Sequence, residues 1–153
     1  MRIEYLYDNI EFAETTAKWC YDEFIFGIRD DLSYQDVLKE TKICYKDKLP
    51  VRLIAIDEGD CTGMVSIVDN DLQCRDYTPW LAALYVKKEC RSRGIGELLI
   101  ESVKQITKDM GYSELYLKTE HTSGYYYRLG WEFVESCEDN FDLVPDVFKV
   151  SLF

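Results

Sequence analysis

The first seven residues, MRIEYLY, alternate: Ile3, Tyr5 and Tyr7 fall on one side, Arg2, Glu4 and Leu6 on the other. A period of two predicts a strand with one buried face. From Asn9 the period lengthens. Ile10, Ala13, Ala17, Cys20 and Phe24 recur at steps of three and four, which predicts a helix with that stripe inward, capped by Asn9 or Asp8 and ended by Gly27. Ser33 followed by Asp36 reads as an N-terminal capping pair for a second amphipathic helix, with Tyr34, Val37, Leu38, Thr41 and Tyr45 inward and its end before Pro50.

Two runs of β character, VRLIAID and CTGMVSIVD, are separated by Glu58, Gly59 and Asp60, which predicts an antiparallel hairpin. The stretch from Asn70 to Pro79 is polar and irregular. WLAALYV is then apolar almost throughout, as expected of a central strand covered on both faces. The helix after it has Ile95, Leu98, Leu99, Ser102, Val103, Ile106 and Met110 inward and Gly111 as its stop. SELYLKT predicts a strand, Ser123 to Leu129 a short helix ending at Gly130, and WEFVES and DVFKVSL a closing pair of strands. No repeat or low-complexity linker interrupts this order, and the length suits a single domain over residues 1–153. The order β-α-α-β-β-β-α-β-α-β-β predicts an α/β fold, a mixed sheet with helices on its faces.

Composition narrows the function. With 47% apolar and 31% charged residues the chain reads as a globule and not as a disordered segment. Its apolar runs are short and its N-terminus carries acids where a leader would carry cations, so a cytoplasmic protein with no membrane partner is expected. A net charge of -11 repels a phosphate backbone and argues against nucleic acid. Cys20, Cys44, Cys61, Cys74, Cys90 and Cys137 form no Cys-x-x-Cys pair and meet a single histidine, His121. Neither a metal site nor a disulfide framework is indicated, and the thiols read as core residues.

Against that acidity, Lys87, Lys88, Arg91 and Arg93 crowd in front of Gly94 and Gly96, between an apolar strand and a helix. Glycines admit a close ligand, the first amides of a helix lack partners, and the helix dipole adds about half a positive charge, so this turn is suited to hold phosphate. The alternative is a tight turn with solvated cations. A dinucleotide fingerprint would need a third glycine where Leu99 stands, and a nucleoside-triphosphate loop would need Gly-Lys-Ser/Thr, which is absent. Arg91-Ser92-Arg93-Gly94-Ile95-Gly96 instead resembles the Arg/Gln-x-x-Gly-x-Gly/Ala signature of GNAT-type N-acetyltransferases. About thirty residues on, YYYRLGWEFVE resembles that family's second marker, an aromatic-Tyr-x-x-x-Gly-aromatic stretch.

The resemblance covers most of the chain and implies a central mixed sheet whose two parallel strands, WLAALYV and SELYLKT here, splay apart around acetyl coenzyme A. It implies that the backbone of Leu84, Tyr85 and Val86 holds the pantetheine arm, that Arg91, Ser92, Arg93, Gly94, Ile95 and Gly96 hold the pyrophosphate, and that an amine attacks the thioester directly. Tyr126, four residues before Gly130, matches the family's general acid, and a phenol remains protonated at neutral pH. Aromatic packing is the competing role, since Tyr125 and Tyr127 flank it. The glutamate that some members carry on the coenzyme strand is missing from WLAALYV, which leaves the base open among Glu120, His121, Glu23, Asp69, Asp76 and water. Acceptor choice in the family rests on the region from Trp19 to Tyr45 and on the stretch before the central strand. There, Glu23, Asp30, Asp31, Asp69, Asp71 and Asp76 accompany Trp19, Tyr21, Phe24, Phe26, Tyr77 and Trp80, a mixture that suits a cationic amine. A coenzyme-binding module without catalysis and a purely structural domain are the rival readings. The closing strands offer an edge for a homodimer.

Overall fold

The structure, a computed structural model, describes all 153 residues. Strands β1 (Arg2–Tyr5), β2 (Val51–Asp57), β3 (Asp60–Val68), β4 (Trp80–Val86), β5 (Glu114–Thr119), β6 (Glu132–Ser136) and β7 (Asp146–Ser151) form one sheet, ordered β1-β2-β3-β4-β5-β7-β6. All neighbours run antiparallel except β4 and β5. Helices α1 (Ala13–Cys20), α2 (Tyr34–Thr41), α3 (Ile95–Asp109) and α4 (Ser123–Arg128) complete the expected element order. Side chains of β2 show how the layers divide. Val51, Leu53 and Ala55 join the main core with Ile95, Leu99 and Val103 of α3 and Tyr126 of α4, whereas Ile54 and Ile56 turn to the other face, where Trp19 and Cys20 of α1 pack.

The pairing of β4 with β5 decides where a ligand can enter. It consists of a single residue pair, Trp80 with Tyr116, backed by the Tyr116 amide donating to the Pro79 carbonyl at 3.0 Å. Beyond that pair each strand follows its own partner, β4 with β3 and β5 with β7 along its whole length from Glu114 to Thr119. Ala83 adds a bend. Its φ of 54° and the register shift opposite it mark a bulge in β4, and bulges tilt a strand away from its neighbours. The mixed sheet therefore opens between its two parallel strands.

Local signals were honoured where they were chemically explicit. Ser33 and Asp36 make a reciprocal capping box, Glu58 and Gly59 both take positive φ in the β2–β3 turn, and Gly111 at φ 97° ends α3. Periodicity did less well at element ends. Residues Leu6–Asp8 leave β1 as a 3-10 turn that buries Leu6 and exposes Tyr7. Asn9 supplies no helix cap and donates instead to the Tyr5 carbonyl. The first helix ends in a π-helical turn, Tyr21–Ile25, which rotates the stripe so that Ile25 is buried and Phe24 is exposed. Helix α2 stops at Thr41, well short of Pro50. In α3 Leu98 points outward, and Ile100 and Thr107 are buried in addition to Ile95, Leu99 and Val103. Only Trp80 and Leu81 of β4 are fully buried; from Ala82 on the strand borders the opening and is half-buried.

Candidate active site

The glycine turn lies where the opening meets α3. Ser92 and Gly94 adopt φ of 65° and 79°, and Gly94 caps α3 without any side-chain hydrogen bond. The first amide of the helix to find a carbonyl is that of Leu98, on Gly94 at 3.1 Å. The amides from Ser92 to Glu97 therefore form a cradle of donors without carbonyl partners, with the positive end of the helix dipole behind it, chemistry that fits a pyrophosphate. The four cations divide. Lys88 and Arg93 are exposed, and Lys87 leans on Glu89 at 3.5 Å. Arg91 folds back: its Nε donates to the Val86 carbonyl at 2.8 Å, and its guanidinium lies 5.3 Å from the Tyr85 ring centre. Arg91 thus ties the turn to the end of β4, next to Leu84 and Val86, which pack against the main core.

Tyr126 lies within that core, with the Trp131 and Phe148 ring centres 5.9 and 6.2 Å from its own. Burial, and then the neighbouring Tyr125 phenol, push its pKa up to about 12. A proton is thus held firmly on the oxygen, as a donor requires. Tyr125 differs: its hydroxyl would stand 3.5 Å from a Cβ on Gly96, so this ring reaches over the glycine turn.

The candidate bases lie at the surface. Glu23, Asp69, Asp76, Glu120 and His121 are all exposed, and Asp69 already accepts a hydrogen bond from Thr78 at 3.0 Å. Asp71 stands apart. It is partly covered, and burial raises its pKa to about 6 against the opposing pull of Lys118. The charges that act on it are those of Lys118 and Glu120 at the end of β5, and Asp71 in turn adds to the burial that raises the pKa of the Cys20 thiol at the end of α1. No periodic or motif signal marks Asp71 in the irregular chain before β4. On the sequence Asp71 reads only as one of the acids on the acceptor side, and nothing there singles out Arg52. With Cys20, Thr16, Thr41, Ser66 and Ala83 it lines a small cavity of about 30 Å³ under α1 and α2, its guanidinium donating to Ser66 Oγ and to the Glu40 carbonyl, both at 3.1 Å. Several residues singled out for the acceptor have structural work instead. Tyr77 stacks on Tyr116 at 4.8 Å and donates to Glu135, and Trp80 is fully buried. Asp31 pairs with Arg29, whereas Phe24 and Phe26 remain exposed at the rim.

The mixed sheet parts between its two parallel strands, and the turn leading from β4 into α3 presents a run of amides without carbonyl partners. The sequence model of the acetyltransferase (GNAT) family matches residues 13–131. The chain belongs to that family and is an acyltransferase. Among solved structures, the fold is similar to an aminoglycoside 6'-N-acetyltransferase complexed with coenzyme A (14% identity, TM-score 0.79, covering 100% of this chain and 98% of that one). It is also similar to an aminoglycoside 6'-N-acetyltransferase from Enterococcus faecium (15%, 0.74, 100% and 98%) and to a ribosomal-protein-alanine N-acetyltransferase from Brucella melitensis (14%, 0.75, 99% of each). No curated protein matches the sequence. No helix is long and apolar enough to cross a membrane.

Proposed function

We propose that the protein acetylates a primary amine, with acetyl coenzyme A and the acceptor bound together across the opening between β4 and β5. One observation supports this reading above the others: the amides from Ser92 to Glu97 have no carbonyl partner, at the turn that follows β4, the strand that parts from β5 after Trp80. Acetyl coenzyme A would supply the activated acyl group. The chain's own residues divide the remaining work. The amides of Ser92, Arg93, Gly94, Ile95 and Gly96 bind the pyrophosphate, with Arg93 and Lys88 adding charge and Arg91 bracing the turn. The β4 backbone at Leu84, Tyr85 and Val86 orients the pantetheine arm. Tyr126 holds a proton at Oη for the departing sulfur, and Asp71 accepts the proton that the acceptor's ammonium must lose. Ionised Asp71 also attracts a cationic amine, which the exposed acids of the surrounding rim favour over a distance.

Thermal melting with and without acetyl coenzyme A, followed by an amine panel read as thiol release, tests the proposal. At a hundred times its dissociation constant the coenzyme should add about 2.7 kcal/mol of stability. No shift would indicate a purely structural domain. A shift without thiol release from any amine would indicate a binding module.

A further inference from the structure

The segment before β4 is fastened to the far edge of the sheet by side chains distant in sequence. Asn140 Nδ2 donates to Gln73 Oε1 at 2.8 Å, the Arg75 guanidinium clasps Glu135 through two bonds of 2.8 Å, and Tyr77 donates to the same carboxylate. Within this row the sulfurs of Cys74 and Cys137 are 3.3 Å apart, although 63 residues separate them along the chain. Both are free thiols, Cys74 exposed and Cys137 buried. Among the six cysteines no other two sulfurs are in such contact. Two sulfurs are too few ligands for a structural zinc, so the chemistry open to the pair is oxidation.

We propose that Cys74 and Cys137 are an oxidation site, a thiol pair that a peroxide converts into an intramolecular disulfide. Cys74 is the sulfur a peroxide can reach. Its thiolate attacks the peroxide, an S–O bond forms, the O–O bond breaks, and the released hydroxide takes a proton to become water, leaving a sulfenic acid. Cys137 then attacks that sulfur, the S–S bond forms, the S–O bond breaks, and a second water leaves. Two thiols lose two electrons in all and one peroxide becomes two waters. The contact with Cys74, and then burial, raise the Cys137 pKa, and the nearby Arg75 guanidinium opposes that rise only in part, so Cys137 gives up its proton as it attacks the sulfenic acid. Bond formation needs the sulfurs to close from 3.3 Å to about 2.05 Å. The cross-link would join the segment that carries Asp71 and Tyr77 to the β6–β7 connection.

Treating the folded, full-length protein with a small excess of hydrogen peroxide and mapping it by mass spectrometry tests this. The expected result is loss of two hydrogens from the intact mass, one linked peptide pair containing Cys74 and Cys137, and full reversal by dithiothreitol. Cys74→Ser should abolish the link, and Cys20→Ser and Cys90→Ser should leave it. In Cys137→Ser, a dimedone adduct should appear at Cys74. A link between other cysteines, a sulfinic acid at Cys74 without a link, or no change of mass in the wild-type protein would overturn the proposal. None of these readouts depends on acetyl transfer, so they stand apart from the fate of the enzymatic reading.

Discussion

Tyr126 and Asp71 owe their chemistry to opposite uses of burial. For the phenol, loss of water raises a pKa already high, and the group remains a donor through the neutral range; for the carboxyl it lifts the pKa to about 6, where an acid is still mostly ionised at neutral pH yet has become a better base. Tyr126→Phe should lower turnover about 10²-fold with coenzyme affinity little changed, measured by steady-state kinetics beside calorimetry; an unchanged rate would remove the acid role. Asp71→Asn should cost about 10²-fold or more in kcat and should erase a limb of the pH profile that rises through about pH 6 in the wild type. A limb that persists in the variant would assign it to another group. The two residues differ in legibility. Tyr126 stands at a fixed distance from Gly130 in a recognisable marker, whereas the desolvation of Asp71 arises only once the chain has folded over it, which no local pattern reports.

At the scale of elements, the close seating of α3 on the sheet depends on one missing side chain. A Cβ on Gly63 of β3 would meet Leu99 Cδ1 at 3.1 Å, the Tyr85 carbonyl at 3.2 Å and Ile95 Cγ2 at 3.3 Å. The middle contact is backbone of β4, which cannot swing aside as a side chain can. Gly63→Ala should therefore destabilise the fold by about 1–3 kcal/mol and weaken coenzyme binding as well, because the shift falls between β4 and the first turn of α3. Chemical denaturation and calorimetry on the same variant check both effects. The identities and order of the elements were readable from periodicity and caps, the Ser33–Asp36 box being the plainest case. The π-helical turn after Cys20 and the bulge at Ala83 were not readable, since each is a local defect in an otherwise regular pattern, selected by what packs across it.

For the whole molecule, pH stability follows from two carboxylates with opposite shifts. Hydrogen bonds from Arg75 and then Tyr77 lower the Glu135 pKa from the ordinary 4.5 to about 2, so its ionised form favours the folded state; that contribution is present above pH about 4.5 and is lost as pH falls toward about 2. Asp71, raised from 3.8 to about 6, works the other way, favouring the fold when protonated and losing that contribution as pH rises through about 6. Glu135→Gln should lower the melting temperature at neutral pH and flatten its decline between pH about 4.5 and about 2, as read by thermal melts across that range. An unaltered decline would locate acid sensitivity elsewhere, with Asp146, held low by Ser123 and Ser136, as the next carboxylate to examine.

By itself the sequence determined the succession of strands and helices and marked the glycine turn and Tyr126 as candidates, because each is written in residues adjacent along the chain: a period, a cap, a glycine beside a cluster of cations. Only the tertiary structure decided that β4 and β5 separate after Trp80, that Asp71 is desolvated within reach of the charges of Lys118 and Glu120, that Arg52 is largely covered beneath α1 and α2, and that Cys74 meets Cys137. Those features arise between segments dozens of residues apart, and burial, charge pairing and sulfur contact have no magnitude until the chain has closed on itself.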